Sequence, residues 1–156
     1  MLQFGQSGSR QPNPMQREMI GRFISSTEVR RERLEWGSLA WFSGPAASDS
    51  KNLVVLEVNL SPEGGHNFHK HPHQEEVIYV LEGEIEQWLG RERQTLRAGD
   101  SASIAADLVH ASFNVSGRNA KLLAILGPCV GLEGYELVDV SSQEPWASLR
   151  GGGHHT

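Results

Sequence analysis

A chain of 156 residues, 38% hydrophobic and 21% charged, is long enough for one domain with a buried core. Its net charge of -5 supplies no basic field for phosphates, so nucleic acid is not an expected partner, and no apolar run approaches the ~20 residues of a membrane span. Cys129 is the sole cysteine, so no intrachain disulfide can form, which fits a cytoplasmic location. In the segment LGPCVG that thiol has no charged sequence neighbour and reads as a small buried apolar group.

Residues 1–20 are rich in Gln, Gly, Ser and Pro, lack periodicity, and read as a flexible arm ahead of a domain over 21–143. TEVRRERLEW (27–36) is the one candidate helix, with its arginines on a solvated face. LVVLEVNL (53–60) alternates as a strand, Val54, Leu56, Val58 and Leu60 sharing one face, and SPEGG (61–65) ends it. EVIYVLEG (76–83) is apolar on both faces, which predicts a strand covered on both sides. Gly83, LGRERQ (89–94) and RAGD (97–100) mark reversals, and HASFNV (110–115), KLLAIL (121–126) and YELVDV (135–140) are further strands. The tail over 144–156 reads as flexible, with His154 and His155 as bystanders on it. Turns recurring roughly every 8 to 12 residues, with Gly 17 and Pro 7, predict an all-β sandwich or small barrel.

The stretch HNFHKHPHQEEVIYVLEGE (66–84) concentrates the chemistry. Side chains two apart on an extended strand point the same way, so His69 and His71 share a face, as do His71 and His73. Glu76 shares its face with Ile78 and Val80, and an inward carboxylate there requires a cation or a donor. His110 supplies a fourth group from a later strand. The set His69, His71, Glu76 and His110 suits one divalent transition metal, whether Fe, Mn, Ni, Cu or Zn, better than Ca or Mg. It leaves coordination positions open for a small-molecule substrate. His73 replaces His69 if the loop register differs. His66 falls in the turn and is expected to be exposed, and Glu75 is expected to face outward.

These residues resemble the two motifs of the cupin family, roughly G-x5-H-x-H-x3–4-E-x6-G and G-x5-P-x-G-x2-H-x3-N. His69-x-His71-x4-Glu76-x6-Gly83 matches the core of the first, one residue short when counted from Gly64. The second reads Gly99-x5-Ala105-x-Asp107-x2-His110-x3-Asn114, with Ala and Asp where Pro and Gly are usual. Asp tolerates a left-handed turn better than most residues, so the second motif remains feasible. The resemblance implies a single-domain double-stranded β-helix, or jelly-roll barrel. It also implies a homodimer and a metal-dependent enzyme, such as a dioxygenase similar to quercetin dioxygenases acting on an enolisable or hydroxylated substrate. Glu76 would then be ligand and catalytic base. A non-redox isomerase or decarboxylase, or a ligand-binding module without turnover, are the alternatives. Trp41, Phe42, Gln87, Trp88, Ser112 and Phe113 are the candidates to line the cavity.

Overall fold

The structure, a computed structural model, describes residues 21–150. The arm expected over 1–20, together with His154 and His155, lies outside the described residues.

Period-two alternation builds the molecule. β3 (Val54–Leu60) and β10 (Ala120–Gly127) bury every second side chain along their whole length, and β5 (Glu75–Glu82) does so over most of its own. They form the centre of a six-stranded antiparallel sheet in the order β1-β2-β3-β10-β5-β8, with β1 (Arg30–Leu34), β2 (Gly37–Ser43) and β8 (Ser101–Ile104). A second antiparallel sheet runs β11-β4-β9-β6-β7, from β4 (Gly65–Lys70), β6 (Glu84–Leu89), β7 (Glu92–Arg97), β9 (His110–Phe113) and β11 (Val138–Asp139). The inward faces of the first sheet, with Leu56, Leu60, Ile78, Val80, Leu122 and Leu126, meet Ile85 and Leu96 of the second in one core. Each such aliphatic side chain contributes about 1.5–3 kcal/mol on burial. Two antiparallel sheets closed face to face in this way make the jelly-roll that the resemblance implies, within the all-β class that the sequence pattern predicts. No helix among the described residues is long and apolar enough to cross a membrane.

Four expectations need correction. The candidate helix over 27–36 is instead β1, which pairs with β2 from Arg30↔Trp41 to Leu34↔Gly37. A helix there had charges but no apolar stripe to bury, whereas Gly37, at φ 154, permits a tight hairpin against Asn59 that no side chain would fit. Cross-strand contacts then complete the edge strand: Arg31 reaches Glu57, and the Arg30 guanidinium lies 4.4 Å over Trp41. The outer face of β5 is not covered by the described residues, among which Val77, Tyr79 and Leu81 remain exposed. YELVDV is mostly loop, reduced to the two residues of β11.

The fourth correction concerns the tail. Residues 144–150 fold back, and α2 (Trp146–Leu149) sets the Trp146 ring 5.4 Å from Phe68. The outer face of β4, β6 and β9 carries Phe68, Trp88, Ala111 and Phe113, and an apolar face of that size needs cover. Arg150 completes it, over Phe113 at 3.6 Å and 3.3 Å from Glu86. Trp88 and Phe113 therefore belong to this outer layer and do not line the inner cavity. The short helix α1 (Pro45–Ser48) follows β2.

Candidate metal centre

Both sheets contribute to one buried point. His69 on β4 and His110 on β9 are directly paired across their strands, which brings their rings to 4.3 Å. Glu76 projects toward them from β5 in the opposite sheet. His71 comes from the corner joining β4 to β5, where its carbonyl accepts from the amides of Gln74 and Asp107. Asp107, in the connection between β8 and β9, sits at φ 65, the left-handed conformation its side chain tolerates, and ties that connection to Lys70 at 2.7 Å. One potential ligand atom from each of His69, His71, Glu76 and His110 lies within 4.8 Å of all the others, and all four residues are buried.

The hydrogen-bond pattern sets the state of the imidazoles. His69 Nδ1 bonds to the Asn67 carbonyl at 2.6 Å, His110 Nδ1 to that of Leu108 at 2.8 Å, and His71 Nδ1 to that of Glu136. A carbonyl can only accept, so each Nδ1 carries the proton and each Nε2 of a neutral ring presents a lone pair. Those lone pairs meet a carboxylate: Glu76 Oε2 is 2.7 Å from His110 Nε2 and 3.3 Å from His71 Nε2. All three atoms are buried with no hydrogen-bond donor. Acceptors crowded this closely repel unless a cation lies among them. Desolvation by burial opposes the Glu76 charge, but the imidazole edges of His110 and His71 hold its carboxyl well below the usual carboxylate range. Burial likewise pushes His69 well below the ordinary histidine value, reinforced by His66 and His110, so it stays neutral and able to ligate. The donor set passes the test for a divalent transition metal held by three imidazoles and one carboxylate.

His73 is not an alternative ligand, because its ring is exposed and bonds the Glu136 carboxylate at 2.9 Å. His66 departs from expectation in the other direction. It lies within β4, half-buried, stacked on His69 at 3.7 Å and on Trp36 at 5.2 Å. Burial lowers it to about 4.

Beside the four residues is a cavity of about 30 Å³, walled by Leu39, Leu56, Val58, Ile78, Leu122 and Ala124, with His66, Ser112 and Tyr135 as further polar neighbours. Of the residues expected to line it, Ser112 does. Gln87 lies behind Ser112, accepting its hydroxyl at 2.6 Å, and faces a separate pocket near β7 and β8. Trp41 is separated from the cavity by Tyr135, edge to face at 6.0 Å. Phe42 alternates away from Trp41 and is half-buried.

Sequence reasoning did not find Gln74, Tyr135 or Glu136. Buried Gln74 donates to the carbonyls of Pro128 at 2.7 Å and Gly134 at 2.8 Å and accepts from the Glu136 amide at 2.9 Å. It thereby fixes the 128–137 loop, which delivers the Glu136 carbonyl to His71 and Tyr135 to the cavity. No local pattern signals this, since the partners are some 60 residues apart along the chain.

Fold and centre together define a jelly-roll protein in which four buried side chains could hold a metal ion. Residues 56–126 match the model of the cupin domain. A relative described as "Polyketide synthase CurC" from Streptomyces cyaneus is 28% identical over 111 residues, 71% of this chain and 72% of that protein. Among solved structures, the polyketide cyclase RemF of Streptomyces resistomycificus superposes with a TM-score of 0.64 at 19% identity, covering 82% of this chain and 97% of that one. An oxalate decarboxylase from Lactobacillus farciminis does so with a TM-score of 0.66 at 16% identity, covering 74% and 35%. Structural likeness at such identities establishes the fold alone. Residues 56–126 therefore read as a cupin domain, on the fold shared with these structures.

Proposed function

We propose that this protein is a metal-dependent enzyme acting on a small, enolisable, oxygen-bearing organic molecule. The observation that carries this reading is the set of inward lone pairs on His71, His110 and Glu76, buried without donors beside an apolar cavity. Similarity to the Streptomyces cyaneus polyketide synthase protein supports a substrate class with neighbouring carbonyl or hydroxyl groups. A divalent transition metal bound at the centre would supply Lewis acidity to an enol or hydroxyl oxygen and, if redox-active, reactivity toward O2. The remaining work falls to the chain. His69, His71 and His110 hold the metal through tautomers set by their carbonyl partners. Glu76 ligates and is also the nearest base for a proton next to a substrate carbonyl. The aliphatic wall excludes bulk water. Burial raises the Tyr135 phenol above its ordinary value, so it stays protonated and able to donate a hydrogen bond. Dioxygenation is a second reading, favoured by a donor set that accepts iron, nickel or copper as readily as zinc or manganese.

The test is the metal content of untagged protein purified without added metal or chelator, beside His110→Ala. It is followed by incubation with a flavonol and with an aromatic β-diketone, with and without O2. Near-stoichiometric metal in the wild type, lost in the variant, is expected. Product formed without O2 supports an isomerase or cyclase, and O2 uptake supports a dioxygenase. A wild type that holds no metal and takes up none would sink the proposal.

We further infer that a second copy of the chain covers the outer face of β5, where Val77, Tyr79 and Leu81 adjoin half-buried Leu123 and Ile125 of β10. Light scattering should give twice the 17.2 kDa chain mass, falling to the monomer in Tyr79→Glu. A monomeric wild type at micromolar concentration would remove this inference.

A further inference from the structure

β4 and β9 oppose His69 to His110, and beside that pair they oppose His66 to Ser112. Three steps along β4, from His66 to His69, face two along β9, from Ser112 to His110. The extra residue makes a β-bulge, a device that re-aims side chains beside functional sites. Strict alternation would put His66 on the sheet face opposite His69. The bulge returns it to the inner face, where its ring stacks on His69 at 3.7 Å and on Trp36 at 5.2 Å. Within the same bulge the Asn67 carbonyl accepts from His69 Nδ1 at 2.6 Å. One irregularity thus orients a candidate ligand and adds a further imidazole beside it.

The polar residues that line the cavity are His66, His69, Glu76, His110, Ser112 and Tyr135, and they differ in what they still offer. His69 and His110 commit their Nδ1 protons to backbone carbonyls, and the Glu76 carboxylate only accepts. Ser112 donates its hydroxyl to Gln87, whose amide nitrogen donates to the Trp88 carbonyl at 3.2 Å, so Ser112 too can only accept. The uncommitted donors on this wall are therefore His66 and Tyr135. His66 has no side-chain hydrogen bond among the described residues, yet neither of its nitrogens is sealed. The buried atoms without a partner belong instead to Trp41, His71, Glu76 and His110. An imidazole carries at least one N–H in either charge state.

We propose that His66 contacts the substrate, its imidazole N–H donating to a carbonyl or enolate oxygen held beside the metal centre. Tyr135 offers a second donor to the same space, so the pair selects a molecule with two acceptor oxygens over one with a single oxygen. The proposal rests on the enzymatic reading above for its substrate class.

The probe is acetylacetone, titrated into zinc-loaded and metal-free protein while the histidine ring nitrogens, isotopically labelled, are followed by NMR. The His66 resonances are identified by their absence in His66→Phe and in His66→Gln. A saturable shift of one of them is expected in both samples, at higher probe concentration without zinc. Cobalt-loaded protein gives a second readout. Its visible spectrum without probe should be the same in wild type and in His66→Phe, which keeps a flat ring against His69. Acetylacetone should bind that variant about three- to tenfold more weakly, as loss of one hydrogen bond implies. Ethanethiol, whose sulfur is a weak acceptor, should bind both forms alike within about twofold. Equal weakening of the two probes would reveal a merely structural ring and overturn the assignment. A changed cobalt spectrum would make His66 a further ligand, and a His66 resonance that stays still at saturation would remove the contact. Either result overturns the proposal. A protein that takes up no metal sinks the enzymatic reading alone, since the shift in metal-free protein then decides this one.

Discussion

The β4–β5 segment, which crosses from one sheet to the other, and the 128–137 loop both build the candidate metal centre, and they do so in opposite ways. The segment contributes the candidate ligands His69, His71 and Glu76 through the identity and spacing of its own residues. The loop contributes no ligand. It supplies a carbonyl, that of Glu136, which fixes the His71 tautomer, and a ring, Tyr135, which closes the cavity. Its conformation is held mainly by Gln74, itself part of the corner between β4 and β5. Ligand identity is thus local, while ligand orientation is a property of contacts distant in sequence.

Three measurements break or sharpen this contrast. The largest effect is expected from Gln74→Leu, which keeps the volume but strips three hydrogen bonds from the loop. Leaving the buried carbonyls and amide unpaired should lower stability by about 2–4 kcal/mol in urea unfolding. Metal affinity should fall about 10–100-fold although every ligand remains. If affinity is unchanged, the loop does not orient His71, and the comparison collapses.

A smaller effect tests the β4–β5 segment alone. His66 is lowered to about 4 in the folded state, while an unfolded chain returns it to about 6.5. Between those values the unfolded chain binds more protons, so stability of the metal-free protein should fall as pH drops from 6.5 toward 4. Above 6.5 it should be flat with respect to this group. Chemical unfolding at several pH values, repeated on His66→Phe, should show a shallower slope in the variant, with the part due to His69 remaining. An identical slope would mean that His66 titrates alike in both states.

The smallest effect belongs to His73→Ala. Its exposed ring bonds only the Glu136 carboxylate, and exposed ion pairs of that kind contribute about 0–1 kcal/mol. Metal content should be unchanged within about twofold, and a marked loss would reopen the loop register.

Much of the fold was legible because period-two burial is a local property. Val54, Leu56, Val58 and Leu60 announce an inward strand face wherever the strand is placed. β1 was misleading because an edge strand exposed on both faces has no periodicity to read, and its charges mimic a solvated helix. His66 was misleading because a turn signal at 61–65 does not say where the next strand begins. Gly65 already pairs with Phe113, which draws His66 into β4.

By itself, then, the order of residues determined the all-β class and offered His69 or His73 with His71, Glu76 and His110 as candidates for the centre, because alternation survives without tertiary context. Only the folded structure decided that His73 stays outside and that Tyr135 walls the cavity. It also decided that residues 144–150 cover an apolar sheet face. Each of these depends on which distant backbone groups and surfaces are left to be satisfied once the two sheets have closed, and no window along the chain contains that information.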